Sequence, residues 1–209
     1  MEINKLIDLR LKFDENIYMK VGKYVKNNHP SYVDSHRDSL SQGQLDSKFW
    51  LIDELVKLKW EDQMHIEIIG GWFGFPLIEM LSYLPIKQID VYDKDPVCVD
   101  IMAQYVNAMN MPFRIVSFGD YFDRKERRRR QLIINTSSEH MEDITCMREW
   151  YKGNPVVAVQ SNDFYSIEDH INCVQNEDEL VEKMNLKEVI YKGRRSQPQY
   201  TRFMAIGLY

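Results

Sequence analysis

Residues 65–76 read HIEIIGGWFGFP, an apolar run that ends abruptly in a cluster of glycines. A second apolar run, IDVY at 89–92, follows and ends in the acidic sequence DKDP at 93–96. A buried strand, a glycine turn, a helix and a strand that ends in a carboxylate form the first half of a nucleotide-binding α/β unit. The pattern therefore predicts a domain that holds a nucleotide-like ligand.

Composition favours a globular protein of ordinary type. The chain has 209 residues, enough for one domain with a sizeable core or for one domain with a helical appendage. No apolar run approaches the roughly 20 residues that span a bilayer, and the amino terminus does not resemble a signal peptide. Three cysteines that lie far apart argue for a reducing compartment and against a disulfide framework. We expect a cytoplasmic protein without membrane contact.

From residue 65 onwards, strand patterns alternate with helix patterns. The predicted strands are 65–69, 88–93, 113–117, 131–136, 155–160, 187–193 and 200–208. The predicted helices are 74–84, 96–109, 141–151 and 176–184. Short connections between alternating strands and helices predict a parallel sheet that is covered on both faces.

The last two predicted strands break the parallel pattern. Only six residues join 187–193 to 200–208, and they leave no room for a helix. Because parallel neighbours need a longer crossover, these two strands are predicted to be antiparallel. The sheet is therefore mostly parallel with a late antiparallel hairpin.

The first part of the chain has helical spacing of its apolar residues. One helix is predicted to end near the residues before Pro30, since the residue that precedes proline avoids the helical region. Asp46 or Ser47 is predicted to cap a second helix. We therefore expect a helical cap over residues 1–60, followed by a Rossmann-like domain over 61–209.

The whole pattern resembles the class I S-adenosylmethionine-dependent methyltransferases. This family has a three-layer α/β/α sandwich, with a seven-stranded, mostly parallel sheet whose last strand is antiparallel. The resemblance covers about residues 40–209 as architecture. It implies S-adenosylmethionine as the methyl donor and S-adenosylhomocysteine as the product.

The first matching segment is the glycine turn. The family pattern is an acidic residue followed by glycines at alternate positions, and here Glu67, Gly70, Gly71 and Gly74 correspond to it. The resemblance implies that Glu67 lies near the methionyl amino group. Glycines at these positions let the backbone approach a cofactor without an intervening Cβ.

Two further segments correspond to the nucleoside part of the cofactor. Asp93, at the end of the second strand, stands where the family binds both ribose hydroxyls. A carboxylate suits that task because its two oxygens accept two donors. Asp95 before Pro96 is predicted to be mainly a helix cap. Asp120 and Tyr121 resemble the pair that meets the adenine.

Polar residues follow the fourth and fifth strands, where ligands bind in open α/β sheets. Asn135 ends the fourth strand and is expected at the cofactor, and Glu139 and His140 follow it. Asn162 and His170 follow the fifth strand. Methyl transfer needs a positioned acceptor and often a base, and a histidine titrates near neutral pH. These last four residues are the candidate catalytic group.

A metal is not expected from the sequence. One branch of the family, similar to catechol methyltransferases, holds magnesium through carboxylate and amide oxygens after these two strands. Here the match is of residue type and region, through Glu139-His140 and Asn162-Asp163, and not of a motif. The prediction is therefore that the site contains no metal.

Two segments near the site each allow two interpretations. Gln44 and Lys48 either meet the methionyl carboxylate or are a helix cap and a solvated lysine. Trp72, Phe73 and Phe75 either line the pocket or pack under the helical cap.

A basic run interrupts an otherwise acidic chain, whose net charge is −5. RNA is a candidate partner through its residues Arg127, Arg128, Arg129 and Arg130. The alternative is a solvated surface segment, since the run leads into the amino end of a strand, away from the ligand edge.

The sequence thus predicts a methyltransferase that acts on an unidentified acceptor: a small molecule, a nucleotide or RNA. The alternative is a catalytically inactive S-adenosylmethionine-binding protein with a regulatory or scaffold role. A nicotinamide-dependent dehydrogenase is disfavoured by the terminal hairpin and by the lack of a G-x-G-x-x-G sequence.

Overall fold

The computed structural model describes residues 15–60, 63–123, 130–142 and 148–209. Its seven strands are β1 (Met64–Ile69), β2 (Ile86–Tyr92), β3 (Arg114–Phe118), β4 (Leu132–Asn135), β5 (Val156–Asn162), β6 (Glu188–Ser196) and β7 (Thr201–Leu208). They form one sheet in the order β3-β2-β1-β4-β5-β7-β6. Only the pairs that involve β7 are antiparallel. All seven predicted strands and the terminal hairpin are confirmed.

Helices cover both faces of this sheet. They are α1 (Glu15–Asn28), α2 (Val33–Asp38), α3 (Gln42–Leu55), α4 (Leu77–Leu81), α5 (Pro96–Ala108) and α6 (Glu177–Met184). Residues of α3, α4 and α5 share an apolar cluster with one face of the sheet. Residues of α6 pack on the opposite face. The result is the predicted three-layer α/β/α sandwich.

Helix α3 begins earlier than the sequence predicted. The expected cap was Asp46 or Ser47, but the N-cap is Ser41, whose hydroxyl accepts the backbone N–H of Gln44 at 3.4 Å. A serine followed three residues later by glutamine is a helix-start signature that explains the difference. The short helix α2 lies between the two helices that the sequence predicted in this part of the chain.

Helix α4 is shorter than the predicted 74–84. The glycine turn continues as far as Pro76, which is the N-cap, and Pro85 follows the helix, so both ends are limited. For the predicted helix at 141–151, residues 143–147 lie outside the described residues. Residues 148–150 form a short 3-10 turn.

Polar contacts attach the helical cap to α5. The Tyr24 hydroxyl donates to Asp100 at 2.7 Å, and the His29 ring contacts the same carboxylate at 2.7 Å. The Tyr32 hydroxyl donates to Asp95 at 2.6 Å. Asp95 also caps α5 by accepting the N–H of Val97, which confirms its predicted role.

An apolar cluster lies beneath these contacts. Phe73 and Phe75 of the glycine turn are buried together with Val21 and Val25 of α1. The Phe75 ring stacks on Tyr105 of α5, with 4.4 Å between ring centroids. Of the two interpretations of these phenylalanines, packing under the cap is the one that the structure supports.

No helix among the described residues combines the length and the apolar character that crossing a bilayer requires. The described cysteines, Cys98 and Cys173, are buried and have free thiols. Neither therefore takes part in a disulfide.

Candidate functional site

The glycine turn follows β1 at the carboxyl edge of the sheet. Gly70 has φ +66°, a left-handed conformation that favours glycine. A Cβ on Gly71 would lie 2.2 Å from Cγ1 of Val91, and one on Gly74 would lie 2.7 Å from Cδ1 of Ile78. Packing within the protein is therefore sufficient to explain Gly71 and Gly74, whatever ligand the turn meets.

Asp93 joins this turn to the end of β2. Its carboxylate accepts the backbone N–H of Trp72 at 2.6 Å and that of Asp95 at 3.0 Å, one on each oxygen. Burial raises the pKa of the Asp93 carboxyl, and the two N–H groups oppose that shift. Each oxygen of an ionised carboxylate can accept more than one donor, so Asp93 can also accept hydroxyl groups of a ligand.

The two residues that were predicted to contact the adenine follow β3 and have different surroundings. Asp120 is half-buried, and a Cβ on the preceding Gly119 would meet no heavy atom within 4 Å, so there is open space beside it. Tyr121 is only 3% exposed, and its hydroxyl contacts that of Tyr151 at 3.1 Å. Open space therefore adjoins Gly119 and Asp120 is partly accessible, whereas Tyr121 lies in the core.

Glu67 lies inside the sheet core and not at its edge. It is fully buried, and its carboxylate contacts Arg130 Nε at 3.2 Å and accepts the hydroxyl of Tyr151. Arg130 also pairs with the buried Asp90 on the neighbouring strand. Burial, reinforced by Glu67, raises the pKa of Tyr151, which stays a donor. This environment gives Glu67 a structural role, in place of the ligand contact that the resemblance implied.

The same ion pairs involve Arg130, the last residue of the predicted basic run. Residues 124–129, including Arg127, Arg128 and Arg129, lie outside the described residues. The side chain of Arg130 is only 8% exposed because it forms two buried ion pairs. Arg130 is therefore held in the interior by its two carboxylate partners, and RNA binding through the basic run stays a prediction.

Asn135 connects the end of β4 to the glycine turn. It is fully buried, and its Oδ1 accepts the N–H of Ser137 at 2.9 Å. A Cβ on Gly70 would lie 3.5 Å from Cβ of that serine. Asn135 thus fixes the turn after β4, and this turn borders the predicted cofactor loop.

A buried polar cluster fills the space between the carboxyl ends of β4 and β5 and the start of β7. Oε1 of Glu139 accepts Nδ2 of Asn162 at 2.7 Å and Nη1 of Arg202 at 3.4 Å. Within the described part of the chain, three buried atoms of this cluster have no hydrogen-bond partner: Glu139 Oε2, Gln160 Oε1 and Arg202 Nε. The cluster therefore has unused hydrogen-bonding capacity that a ligand can satisfy.

The two candidate histidines meet beside this cluster. The rings of His140 and His170 are 4.4 Å apart in an edge-to-face arrangement, although the residues follow different strands. Nδ1 of His140 contacts Asp169 at 3.1 Å, and Nδ1 of His170 contacts the carbonyl oxygen of Phe164 at 3.0 Å. Burial, and then the neighbouring His140, lower the pKa of His170. The sequence-predicted group Glu139, His140, Asn162 and His170 is thus brought together.

Lys48 of α3 extends the cluster, and it is not the solvated lysine of one interpretation. It is 6% exposed, and its ammonium nitrogen donates to Gln44 Oε1 at 2.6 Å. Burial, together with Arg202, lowers the pKa of Lys48 to about 7. Arg202 itself was missed, although a single charged residue in the apolar strand TRFMAIGL could have indicated a buried role.

Lys48 should make stability depend on alkaline pH. Between pH 7 and 10.5 the unfolded chain carries a proton that folded Lys48 lacks, so stability rises with pH in this window. At about 1.4 kcal/mol per pKa unit, we expect the stability of the wild type to rise by roughly 3–5 kcal/mol relative to Lys48→Met across this window, since the raised pKa values of the buried Cys98 and Cys173 thiols oppose the rise above pH 9 equally in both proteins. Urea unfolding at several pH values should show this rise in the wild type and not in Lys48→Met. Lys57→Met, at an exposed lysine, should keep it; equal pH dependence in all three proteins would contradict the prediction.

Comparisons with known proteins identify the fold. No protein-family model and no curated protein matches the sequence. The N-methyltransferase NodS from Bradyrhizobium japonicum WM9, solved with S-adenosyl-L-homocysteine, aligns with a TM-score of 0.63 at 14% identity, over 92% of this chain and 98% of NodS. The CurJ carbon methyltransferase aligns with a TM-score of 0.58 at 11% identity, over 98% of this chain and 70% of CurJ. At such identities the likeness establishes the fold, and the predicted fold is confirmed.

Proposed function

We propose that this chain, which has the class I S-adenosylmethionine-dependent methyltransferase fold, is itself a methyltransferase for a small polar acceptor. The observation that carries the proposal is the position of Asp93. It lies half-buried at the carboxyl end of β2, next to the glycine turn, and its oxygens can accept further donors. In open α/β sheets this edge is where ligands bind.

The residues along this edge fit S-adenosylmethionine. Asp93 would hold the ribose hydroxyls, and Asp120 would lie beside the adenine in the open space next to Gly119. The backbone of Gly70 and Gly71 would border the methionine part. When bound, the cofactor supplies an electrophilic methyl group on a sulfonium. Glu67 and Tyr121 would not contact the cofactor, because both are buried and form hydrogen bonds inside the protein.

The acceptor would lie over the buried cluster after β4 and β5. Counting partners among the described residues alone, Glu139 offers one unpaired acceptor and Arg202 one unpaired donor, which together suit a small polar molecule. Asn162 orients the Glu139 carboxylate through a 2.7 Å hydrogen bond. The hydrogen bond from Nδ1 of His170 to Phe164 leaves Nε2 of that ring as the candidate proton acceptor, and the His140 ring lies 4.4 Å away.

Known structures of the same fold support methyl transfer, and one of them holds a small molecule beside the cofactor product. NodS is an N-methyltransferase and CurJ a carbon methyltransferase. Coclaurine N-methyltransferase, solved with N-methylheliamine and S-adenosylhomocysteine, aligns with a TM-score of 0.55 at 9% identity, over 71% of this chain and 51% of that protein. The buried position of Arg130 removes one of the cations proposed for RNA.

Two measurements test the proposal. Calorimetry should show one site each for S-adenosylmethionine and S-adenosylhomocysteine; if neither binds, the proposal fails. A cell extract incubated with the protein and methyl-labelled cofactor should yield a labelled small molecule that survives nuclease treatment. Glu139→Gln should bind the cofactor as the wild type does but transfer less label. Cofactor binding without any labelled product would favour the scaffold alternative, and nuclease-sensitive label would favour RNA.

A further inference from the structure

We propose that Glu139, His140 and His170 form a binding site for one divalent transition-metal ion, and that Zn²⁺ is the ion that fits best. The sequence led to the opposite expectation, since the matched pattern was for magnesium and lacked a motif. The site concerns metal binding alone, so it stands or falls independently of methyl transfer.

The first argument is proximity. One ligand atom from each of the three residues lies within 4.8 Å of the other two. Ligands about 2.0–2.2 Å from one zinc ion are separated by roughly 3–3.5 Å, so small side-chain rotations suffice to close the site. The backbone N–H of Asn172 donates to the carbonyl oxygen of Glu139 at 2.9 Å, which holds the loop after β5 against the turn after β4.

The second argument is an unsatisfied carboxylate oxygen. Glu139 is 3% exposed, and its Oε2 has no hydrogen-bond partner among the described residues. A buried acceptor without a partner is unfavourable, because it has lost its hydrogen bonds to water and has gained none in the protein. A cation at Oε2 would remove this cost.

The third argument is the orientation of both imidazoles. The carbonyl oxygen of Phe164 can only accept, so Nδ1 of His170 carries the hydrogen in that contact, while Nδ1 of His140 lies 3.1 Å from a carboxylate oxygen of Asp169. A neutral His170 ring therefore keeps a lone pair on Nε2, and the His140 ring lies beside it. Metal-binding histidines commonly donate their other N–H to a carboxylate or a backbone carbonyl in the same way, which fixes the tautomer and the ring orientation.

The ligand set selects the ion. Two imidazoles and one carboxylate suit zinc and related transition metals, whereas magnesium requires mainly oxygen ligands. Three protein ligands leave a coordination position open. Arg202 contacts Oε1 of Glu139, so its guanidinium does not occupy the position beside Oε2. The exposed Asp169, next to Nδ1 of His140, adds negative charge near the site, which favours a cation.

Metal binding would change the role of the two histidines. Their Nε2 atoms would hold the ion and could no longer accept a proton. The open position would instead bind an oxygen or nitrogen of the acceptor and polarise it. This consequence, unlike the site itself, rests on the proposed function.

The test uses full-length protein without an affinity tag, dialysed against a chelator, in the absence of S-adenosylmethionine. Calorimetry with zinc chloride should show one ion per chain, and magnesium chloride should show no binding at this site. His140→Ala and His170→Ala should each weaken zinc binding by about 100-fold or more, since each removes a ligand. Asp169→Ala removes only an orienting partner and should weaken zinc binding by about 10-fold.

His29→Ala is the matched control, because His29 also contacts a carboxylate, Asp100, but lies in the cap. It should bind zinc as the wild type does. Cobalt substitution should give visible absorption bands that His170→Ala loses. Circular dichroism spectra would show whether each variant is folded. Zinc binding unchanged in folded His140→Ala and His170→Ala, or no stoichiometric zinc binding by the wild type, would overturn the proposal. A zinc site without cofactor binding would contradict only the proposed function.

Discussion

Asp93→Ala is expected to weaken S-adenosylmethionine binding by about 100-fold or more. The proposed contacts are two hydrogen bonds from ribose hydroxyls to an ionised carboxylate, each worth about 1.5 kcal/mol or more. The substitution also removes the acceptor for the backbone N–H groups of Trp72 and Asp95, so the glycine turn loses part of its support. Isothermal titration calorimetry with the purified variant measures the change in affinity directly.

Two further variants show whether the loss of cofactor affinity is specific to the Asp93 carboxylate. Asp93→Asn keeps the size of the side chain and one accepting oxygen, and we expect an intermediate affinity. Asp178→Ala removes a carboxylate that is 73% exposed on α6 and should leave cofactor affinity unchanged. If Asp93→Ala binds the cofactor as tightly as wild type, the cofactor lies elsewhere and the proposed arrangement along β1 to β3 is wrong.

Arg130→Met should cause a large loss of stability. The guanidinium pairs with two buried carboxylates, Glu67 and Asp90, whose side chains are 0% and 1% exposed. Removing one partner of a buried ion pair leaves uncompensated charge and costs about 3–5 kcal/mol. Urea unfolding followed by circular dichroism should show a much lower midpoint, with the same slope if the folded and unfolded states stay equally compact.

Two further variants test whether the loss of stability comes from the buried charges: one removes the carboxylate charges, and one changes an exposed ion pair. Adding Glu67→Gln and Asp90→Asn to Arg130→Met removes the uncompensated charges and should restore part of the stability. Arg37→Met affects an ion pair in which both side chains are largely exposed, so its midpoint should change little. A midpoint for Arg130→Met as high as that for Arg37→Met would show that the buried network is not important for stability.

The sequence predicted the sheet well because local and global signals agree there. Buried parallel strands are continuous apolar runs, and the six residues between the last two predicted strands exclude a crossover. The limits of α3 and α4 were harder to predict. Ser41 as a cap and Pro76 as a helix start compete with neighbouring residues that have similar propensities.

The sequence predicted the region in which the polar residues of the site lie, but not the residues that they contact. The positions of Glu139 and His170 after two strands indicate the same sheet edge, but only the folded chain shows their proximity. Arg130 is one of four consecutive arginines, and nothing in the sequence distinguishes the one that enters the core. Glu67 matched an acidic family position, yet its burial depends on that same distant arginine.

The glycine turn is held from two directions, by Asp93 through the N–H of Trp72 and by the aromatic cluster that buries Phe73 and Phe75 beneath the cap. A ligand that binds against this turn meets a backbone that is already ordered. Little conformational entropy then has to be lost on association, so more of the contact energy remains as affinity. The cap would therefore contribute to binding of the proposed cofactor through preorganisation, at a distance from any atom that the cofactor would touch.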